Sequence, residues 1–174
     1  LPSYLTYSLA WTGHEGARET EAILQLNRAQ NWEQFRNALR YARVPALSFI
    51  YADRNNQIGS FSAGRCPIRK HNPRPFHPLP ASEKLYDWDG EIPFEELPQQ
   101  LNPEKGYILF SGQNPTLSPK PSSYPLQGFW ESPSRYERIE ALLQRSLQQP
   151  ATVEQMSRLQ RDQYCVWSTQ FIER

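Results

Sequence analysis

The sequence predicts an α+β fold, and three features carry that prediction. Residues 46–62 hold two short runs rich in aromatic and β-branched side chains, separated by a polar turn, which is typical of a β-hairpin. Residues 134–147 repeat apolar side chains at helical spacing. Sixteen prolines, most of them between residues 67 and 133, predict ordered, irregular loops between these two regions.

The N-terminal part predicts one strand and two helices. Residues 1–11 place apolar side chains at alternate positions, which predicts a strand whose odd-numbered residues face a core. Residues 19–27 predict a short helix. Asn31 and Gln34 have the spacing of a capping box, so a second helix should begin there and end near Arg43. Its apolar face carries Trp32, Phe35 and Leu39.

The hairpin follows. Residues 46–52 predict a buried strand, and residues 58–62 predict the return strand. Residues 53–56 are Asp, Arg, Asn and Asn, and Asp and Asn favour turns because they tolerate left-handed backbone angles and bond their own backbone. Asp53 is therefore expected to cap the turn rather than to contact a substrate.

Beyond the hairpin, proline and glycine divide the chain into short pieces. The predicted pieces are an aromatic turn at 86–90, one helical turn at 92–98 with Phe94 and Leu97 inward, a turn at 102–106, a strand at 107–110 and a loop at 114–134. Residues 73–80 contain four prolines and cannot form regular structure.

The C-terminal part predicts helices. The helix at 134–147 has a clear apolar stripe, formed by Tyr136, Ile139, Leu143 and Leu147. Thr152 and Gln155 repeat the capping-box spacing and predict the start of a further helix.

Charge and cysteine content exclude several classes of protein. Nineteen Lys and Arg against eighteen Asp and Glu give a formal net charge of +1, which provides no field for capturing nucleic acid or an anionic membrane. Cys66 and Cys165 are too far apart in sequence for a CxxC site, and we interpret them as two unrelated thiols. No run of about 18 apolar residues and no targeting signal occurs, so the chain is expected to be soluble as given, although a leader could precede Leu1.

Residues for common catalytic and metal centres are also missing. The histidines are His14, His71 and His77, and none stands beside a nucleophile motif, so a Ser-His-Asp type of triad is not expected. A metal held by His71 and His77 would need two further ligands that the sequence does not suggest. No dinucleotide-binding, P-loop or GxSxG motif occurs.

Seven segments in colinear order carry a family resemblance. They are LNRAQNWEQF (26–35), YAD with IG (51–59), GRCPIR (64–69), DWDGEIPF (87–94), LNPEKGYI (101–108), RYERIEALL (135–143) and LQRD (159–162). Together they resemble the middle of the β subunit of penicillin amidases, a family that covers penicillin acylases, cephalosporin acylases and acyl-homoserine lactone acylases. The resemblance implies the four-layer αββα fold of N-terminal nucleophile hydrolases, of which residues 1–174 would be a single partial domain.

The resemblance also implies a mechanism of amide hydrolysis. In such enzymes the amino-terminal Ser of the β subunit attacks the amide carbonyl, and its own α-amino group, through water, is the base. This sequence begins with Leu1, and its nearest hydroxyl, Ser3, does not resemble that terminus. We therefore expect a fragment that is inactive alone and whose partners are the α subunit and the rest of the β subunit of one precursor. A small-molecule acyl amide would be the substrate.

Several site residues follow from the resemblance. Gly112 falls where an Asn side chain usually donates a hydrogen bond to the oxyanion, and Gln113 or Asn114 could replace it after a small shift. Arg135 falls on the arginine that binds this asparagine or the substrate; the alternative is an exposed helix arginine. Ile23 and Leu47 fall on positions that line the acyl pocket, or else belong to the core.

The remaining expectations concern the parent protein. We expect no cofactor for this chain. Calcium is possible in the full-length parent, although one expected carboxylate ligand is replaced near Gly128. The parent is expected to be periplasmic or secreted. Exposed strand edges should allow the fragment to self-associate. The alternative function is a non-catalytic relative that binds an acyl ligand or serves as a scaffold, and Gly112 favours it.

Overall fold

The computed structural model describes residues 6–69, 77–80, 82–115, 124, 126, 128–147 and 150–172. It divides into two compact units, which we describe separately. Unit 1 comprises Leu1–Ile108 and Pro115–Gly128, and unit 2 comprises Leu109–Asn114 and Phe129–Arg174. Among the described residues, no helix combines the length and apolarity needed to cross a membrane.

The strands found in the described residues lie in unit 1. They are β1 (Leu47–Ala52), β2 (Ile58–Ala63), β3 (Pro67–Arg69), β4 (Trp88–Glu91) and β5 (Gln99–Leu101). The α-helices are α1 (Glu19–Leu26) and α2 (Trp32–Ala38) in unit 1, and α3 (Ser134–Ser146), α4 (Val153–Gln160) and α5 (Val166–Ile172) in unit 2. Short 3-10 turns occur at Thr12–His14, Leu39–Tyr41, Lys84–Tyr86 and Phe94–Glu96.

The predicted hairpin is confirmed. β1 pairs antiparallel with β2, with Leu47 opposite Ala63, and β2 pairs antiparallel with β5 on its other side. In the turn, Asn56 adopts φ +59°, and the Asp53 carboxylate accepts hydrogen bonds from the backbone N–H groups of Asn55 and Gln57. Asp53 therefore caps the turn, as predicted.

A core of aromatic and aliphatic side chains packs under this sheet. Its buried members are Phe35, Leu39, Tyr51, Phe61, Ala63, Ile92 and Leu97. Phe61 stacks on Phe94 with ring centroids 4.7 Å apart, which confirms that the turn at Phe94 points inward. The Trp32 ring lies so close to Gly59 that a Cβ there would fall 2.4 Å from it, so this strand position favours glycine.

The predicted helices of unit 1 are present, with one difference at a cap. Asn31 accepts from the backbone N–H of Gln34, as the capping box predicts. The Gln34 side chain accepts from the N–H of Gln30 rather than from that of Asn31. Helical structure then ends at Tyr41, two residues before the predicted end near Arg43.

Unit 2 is helical. α3 confirms the predicted helix and buries Leu143, and Thr152 and Gln155 form a complete capping box at the start of α4. Arg138 on α3 binds the Asp162 carboxylate through two N–H groups, at 3.1 and 2.9 Å. This bidentate pair links α3 to the segment that follows α4.

Four local predictions are wrong within the described residues. Residues 6–11 form no strand, and Tyr7, Leu9 and Trp11 are exposed, because no other described strand pairs with them. Residues 107–110 are irregular rather than a strand. The predicted turn at 86–90 contains most of β4, since pairing with β3 overrides the Asp-Gly turn signal.

The fourth error concerns β1, which the sequence predicts to be buried. Only Tyr51 is buried in it, and Ile50 is 56% exposed. β1 is an edge strand of the described three-stranded sheet, whereas β2 is central and buried from Gly59 to Ala63. Three elements were not predicted: β3, β5 and α5. Of these, β3 and β5 lie between residues 67 and 133, where the sequence predicts irregular loops, so that broader prediction is wrong at both strands. Residues 70–76, which include half of the proline-rich segment 73–80 and His71, lie outside the described residues.

Candidate functional site

Two segments of unit 2 hold the residues predicted to bind the oxyanion. They are Leu109–Asn114 and the segment that leads from Phe129 into α3. The backbone N–H of Glu131 donates to the carbonyl of Gly112 at 3.0 Å. This bond holds Gly112 next to Glu131, which lies four residues before Arg135 in the chain.

The Gln113 side chain is held by its own loop. Its Oε1 accepts from the backbone N–H of Ser111 at 2.6 Å, and its Nε2 donates to the carbonyl of Leu109 at 2.9 Å. Both ends of the amide are thus engaged by the backbone. Asn114 ends the loop and is half-buried. Next to them the Ser111 hydroxyl is buried, with no hydrogen-bond partner among the described residues.

Gly112 adopts a left-handed conformation that explains its residue type. Its φ angle is +78°, a region that only glycine enters without strain and that Asn tolerates better than other residues. A Cβ on Gly112 would lie 2.6 Å from Cδ and 2.7 Å from Oε2 of Glu131. The Glu131 carboxylate therefore fills the space into which a side chain at position 112 would project.

Arg135 is the second residue of α3 and is exposed. No hydrogen bond or ion pair joins it to another described residue. By contrast, Arg138 on the same helix is paired with Asp162, and this carboxylate raises the pKa of the Arg138 guanidinium. The exposure of Arg135 agrees with the alternative of a surface arginine. Its N–H donors are also free of described partners, as a ligand-binding arginine requires. Its predicted role therefore stays a prediction.

Ile23 and Leu47 lie in unit 1, and neither belongs to its core. Ile23 on α1 is 58% exposed, and Leu47 at the start of β1 is 51% exposed. One helical turn before Ile23, the Glu19 carboxylate accepts from the backbone N–H groups of Val44 at 2.8 Å and Arg43 at 3.1 Å. Glu19 therefore fixes α1 to the segment that enters β1.

The same contacts stabilise the charged form of Glu19. Hydrogen bonds from the backbone N–H groups of Val44, of Glu19 itself and of Arg43 hold the pKa of this carboxyl below its usual range, and the bond from Val44 is the largest cause. The ionised form is thus the one that positions Ile23 and Leu47. Both side chains remain available to line an acyl pocket, and that role stays a prediction.

The thiols and histidines show no catalytic arrangement among the described residues. Cys66 and Cys165 are not disulfide-bonded, and burial raises the pKa of the Cys66 thiol. His14 contacts the carbonyl of Leu9, and His77 is exposed. In the part of the chain that the structure describes, no group of three or more His, Cys, Asp or Glu side chains is placed to hold a metal ion. The calcium expectation for the parent stays a prediction.

Two residues of these sites were not predicted from the sequence, Glu131 and Glu19. Their positions depend on contacts with residues 19 and 25 positions away in the chain, between Glu131 and Gly112 and between Glu19 and Val44. Residue types in the neighbouring sequence do not predict contacts over such distances along the chain. Ser111 followed by Gly112 is a dipeptide typical of turns, and it is a local signal of a tight backbone at this place.

Comparison with protein families and known proteins places these features in context. The penicillin amidase family model matches residues 2–174. Penicillin G acylase of Escherichia coli is 33% identical over 138 residues, which is 79% of this chain and 16% of that protein. The acyl-homoserine lactone acylase QuiP of Pseudomonas aeruginosa PAO1 is 32% identical over 165 residues, which is 94% of this chain and 19% of that protein. This chain thus spans under a fifth of the curated relatives it matches.

A solved structure supports the fold. The thermostable penicillin G acylase from Alcaligenes faecalis superposes with a TM-score of 0.56 and 22% sequence identity, covering 74% of this chain and 23% of that one. Together with the mixture of helices and sheet, this similarity confirms the predicted α+β class as part of the N-terminal nucleophile hydrolase fold.

Proposed function

This chain belongs to the penicillin amidase family, and from that premise we propose that it is part of an acylase that hydrolyses a carbon–nitrogen bond between an acyl chain and an amine. The single observation that carries the proposal is the family match over residues 2–174. Relatives named for penicillin G and for acyl-homoserine lactones suggest a β-lactam nucleus or a homoserine lactone as the amine.

We further propose that the nucleophile is the amino-terminal Ser of a β subunit and lies outside these 174 residues. The share of the relatives' length that the chain spans, 16% to 19%, leaves room for it. Such a Ser uses its own α-amino group as base, and this agrees with the absence of a His-containing triad among the described residues. The 174-residue chain is then inactive by itself and acts with the rest of its precursor.

In this proposal Arg135 orients the substrate or the oxyanion-binding groups. Its guanidinium is exposed and is not paired with any described carboxylate, so its planar set of donors is available. Ile23 and Leu47 contact the acyl chain, because both are aliphatic and more than half exposed. The side-chain amide of Gln113 is hydrogen-bonded to backbone groups of its own loop. Gln113 would have to break these bonds before it could donate to the oxyanion in place of the usual asparagine.

The experiment is hydrolysis of a chromogenic phenylacetyl or fatty-acyl anilide by the full-length precursor after processing. We expect release of the aniline well above that of a variant with the nucleophile Ser changed to Ala. Release equal to that of the Ser→Ala variant would contradict amide hydrolysis. The full-length gene product should also carry a Ser preceded by a Gly upstream of Leu1.

Arg135→Ala tests the site itself. We expect kcat/KM to fall by about 10²-fold, within the range typical for loss of one donor at an oxyanion site. Arg135→Lys should recover only part of the loss, because lysine lacks the planar fork. Arg145→Ala is the matched control, since Arg145 is an exposed arginine in the last turn of the same helix. Equal kcat/KM values for Arg135→Ala and Arg145→Ala would show that Arg135 does not contribute to the site.

A second candidate function is non-catalytic binding of an acyl ligand, or a scaffold role. The observation that favours it is the pair formed by Gly112 and Glu131, in which an acidic side chain stands where an amide donor is expected. This candidate is supported if the full-length protein binds a fatty-acyl amide but releases no product.

A further inference from the structure

We propose that Glu131 is a specificity-determining residue of the acylase site and selects substrates that carry a cationic group next to the scissile carbonyl. The inference rests on the proposed function and adds the substrate class to it. It comes from the placement of one carboxylate in unit 2, which no motif in the sequence indicates.

The carboxylate is placed by contacts of both the backbone and the side chain. The Glu131 N–H donates to the Gly112 carbonyl at 3.0 Å. Its Oε2 lies 2.7 Å from the point where a Cβ of residue 112 would be, so the carboxylate stands where the side chain of residue 112 would begin. Because position 112 is the proposed place of the oxyanion donor, Glu131 lies at the reacting part of the site.

Nothing in the described part of the chain neutralises this carboxylate. No described residue forms an ion pair or a side-chain hydrogen bond with Glu131. Arg135 is only four residues further along, yet the two side chains do not pair. Glu131 is also exposed, so a ligand could reach it. The negative charge is therefore available to a ligand.

The charge has two opposite effects on substrates. An ionised carboxylate only accepts hydrogen bonds, so it cannot replace the amide donor and it repels the negative charge that develops on the carbonyl oxygen. A substrate with an ammonium group on the carbon next to the carbonyl would be attracted instead. The site should thus prefer α-aminoacyl amides to neutral acyl amides.

The matched probes are phenylglycyl and phenylacetyl 4-nitroanilides, which differ only by that amino group. With the full-length processed protein, we expect a higher kcat/KM for the phenylglycyl substrate. Glu131→Gln keeps the shape of the side chain, removes its charge and adds an N–H donor. We expect it to lower the ratio of the two kcat/KM values by about threefold to fivefold, the change expected from one exposed charge pair.

Two further variants serve as controls. Glu131→Asp keeps the charge and should keep the preference for the phenylglycyl substrate. Glu137→Gln removes a carboxylate from an exposed position of α3, two residues beyond Arg135 and thus on nearly the opposite side of the helix, and should leave the ratio unchanged. A ratio that is the same in wild type and Glu131→Gln overturns the inference.

Binding separates this inference from the proposed hydrolysis. Phenylglycinamide and phenylacetamide are titrated into the variant with the nucleophile Ser changed to Ala, with and without Glu131→Gln, by calorimetry. A preference for phenylglycinamide that Glu131→Gln abolishes supports the inference even if neither anilide is cleaved, an outcome that would defeat only the proposed hydrolysis. Binding of both amides unaffected by Glu131→Gln, or binding of neither, overturns it.

Discussion

At the scale of single residues, the segments that identify the family are held by contacts within the fold. Asp53 caps the hairpin turn and accepts from the Tyr51 hydroxyl at 2.8 Å. The Arg65 side chain is only 12% exposed and donates to Glu91 at 2.7 Å. Such residues stabilise the architecture. In the inference above, the choice of acyl group is assigned to a residue outside these segments, Glu131.

The contact between Tyr51 and Asp53 gives a prediction for alkaline pH. Burial, and then the hydrogen bond to the Asp53 carboxylate, raise the pKa of Tyr51 to about 12. Because the folded-state pKa is raised, this phenol's contribution to stability is fully present below its ordinary pKa of about 10 and is lost as pH rises through the folded value. Asp53→Asn should lower the pKa of Tyr51 towards 10 without reaching it, since burial remains. The measurement is absorbance at the phenolate band, with Tyr51→Phe as the blank. A pKa unchanged by Asp53→Asn would contradict this explanation.

Gly112 gives a second prediction at this scale. Gly112→Ala should lower the free energy of unfolding by about 1–2 kcal/mol, because an alanine at φ +78° is strained and its Cβ meets Glu131. Gly112→Asn should lower it less, as Asn enters the left-handed region more readily. The control is Gly16→Ala, where no atom lies within 4 Å of the added Cβ. Urea denaturation of the full-length protein measures all three, and equal losses for Gly112→Ala and Gly16→Ala would contradict the prediction.

At the scale of elements, the sequence could predict what depends on neighbouring residues. Helix caps at Asn31 and Thr152 and the hairpin turn at Asp53 follow from local side-chain chemistry, and all are present. β4 and β5 depend on pairing with residues at least 19 positions away, so their own composition did not indicate them. The exact last residue of a helix is also poorly indicated by local sequence. Helical structure after α2 ends at Tyr41, two residues before the prediction.

The two caps should differ in their effect on stability. α2 carries Phe35 and Ala38 into the core, whereas α4 has no buried residue. Asn31→Ala should therefore reduce the global free energy of unfolding by about 1 kcal/mol. Thr152→Ala should loosen α4 locally, with a smaller global effect, because little packing depends on that helix. Urea denaturation gives the global value, and hydrogen exchange of the Gln155 and Met156 amides gives the local one. A larger global loss for Thr152→Ala than for Asn31→Ala would contradict this order.

The candidate site shows the same division between local and distant information. The resemblance could name positions 112 and 135, because it depends on residue types in sequence order. It could not indicate that Gly112 adopts a left-handed conformation or that the Glu131 carboxylate occupies the adjacent space. These facts depend on how two segments separated by about twenty residues meet, so they require coordinates.

At the scale of the whole molecule, apolar side chains remain exposed in both units. In unit 1 they include Tyr7, Leu9, Trp11, Ile23, Leu24, Leu47 and Ile50. In unit 2 they include Phe129, Val153, Tyr164, Trp167, Phe171 and Ile172. Monomeric proteins rarely expose so much large apolar surface, so contacts with other polypeptide are expected for both units. Under the proposed function, this other polypeptide is the remainder of the precursor.

The 174-residue chain expressed without that partner should self-associate, and β1 is the part of unit 1 most suited to it. β1 is an edge of the described three-stranded sheet, and Ile50 on it is 56% exposed, so another chain could pair with its backbone and cover its side chains. Ile50→Lys should shift the chain towards monomer in size-exclusion chromatography with light scattering, because a charge on an edge strand opposes pairing. Thr20→Lys adds the same charge at an exposed position of α1 and should leave the distribution unchanged. If the wild-type chain is monomeric at high concentration, its apolar faces do not bind one another. If Ile50→Lys and Thr20→Lys shift the distribution equally, net charge rather than the edge of β1 controls association.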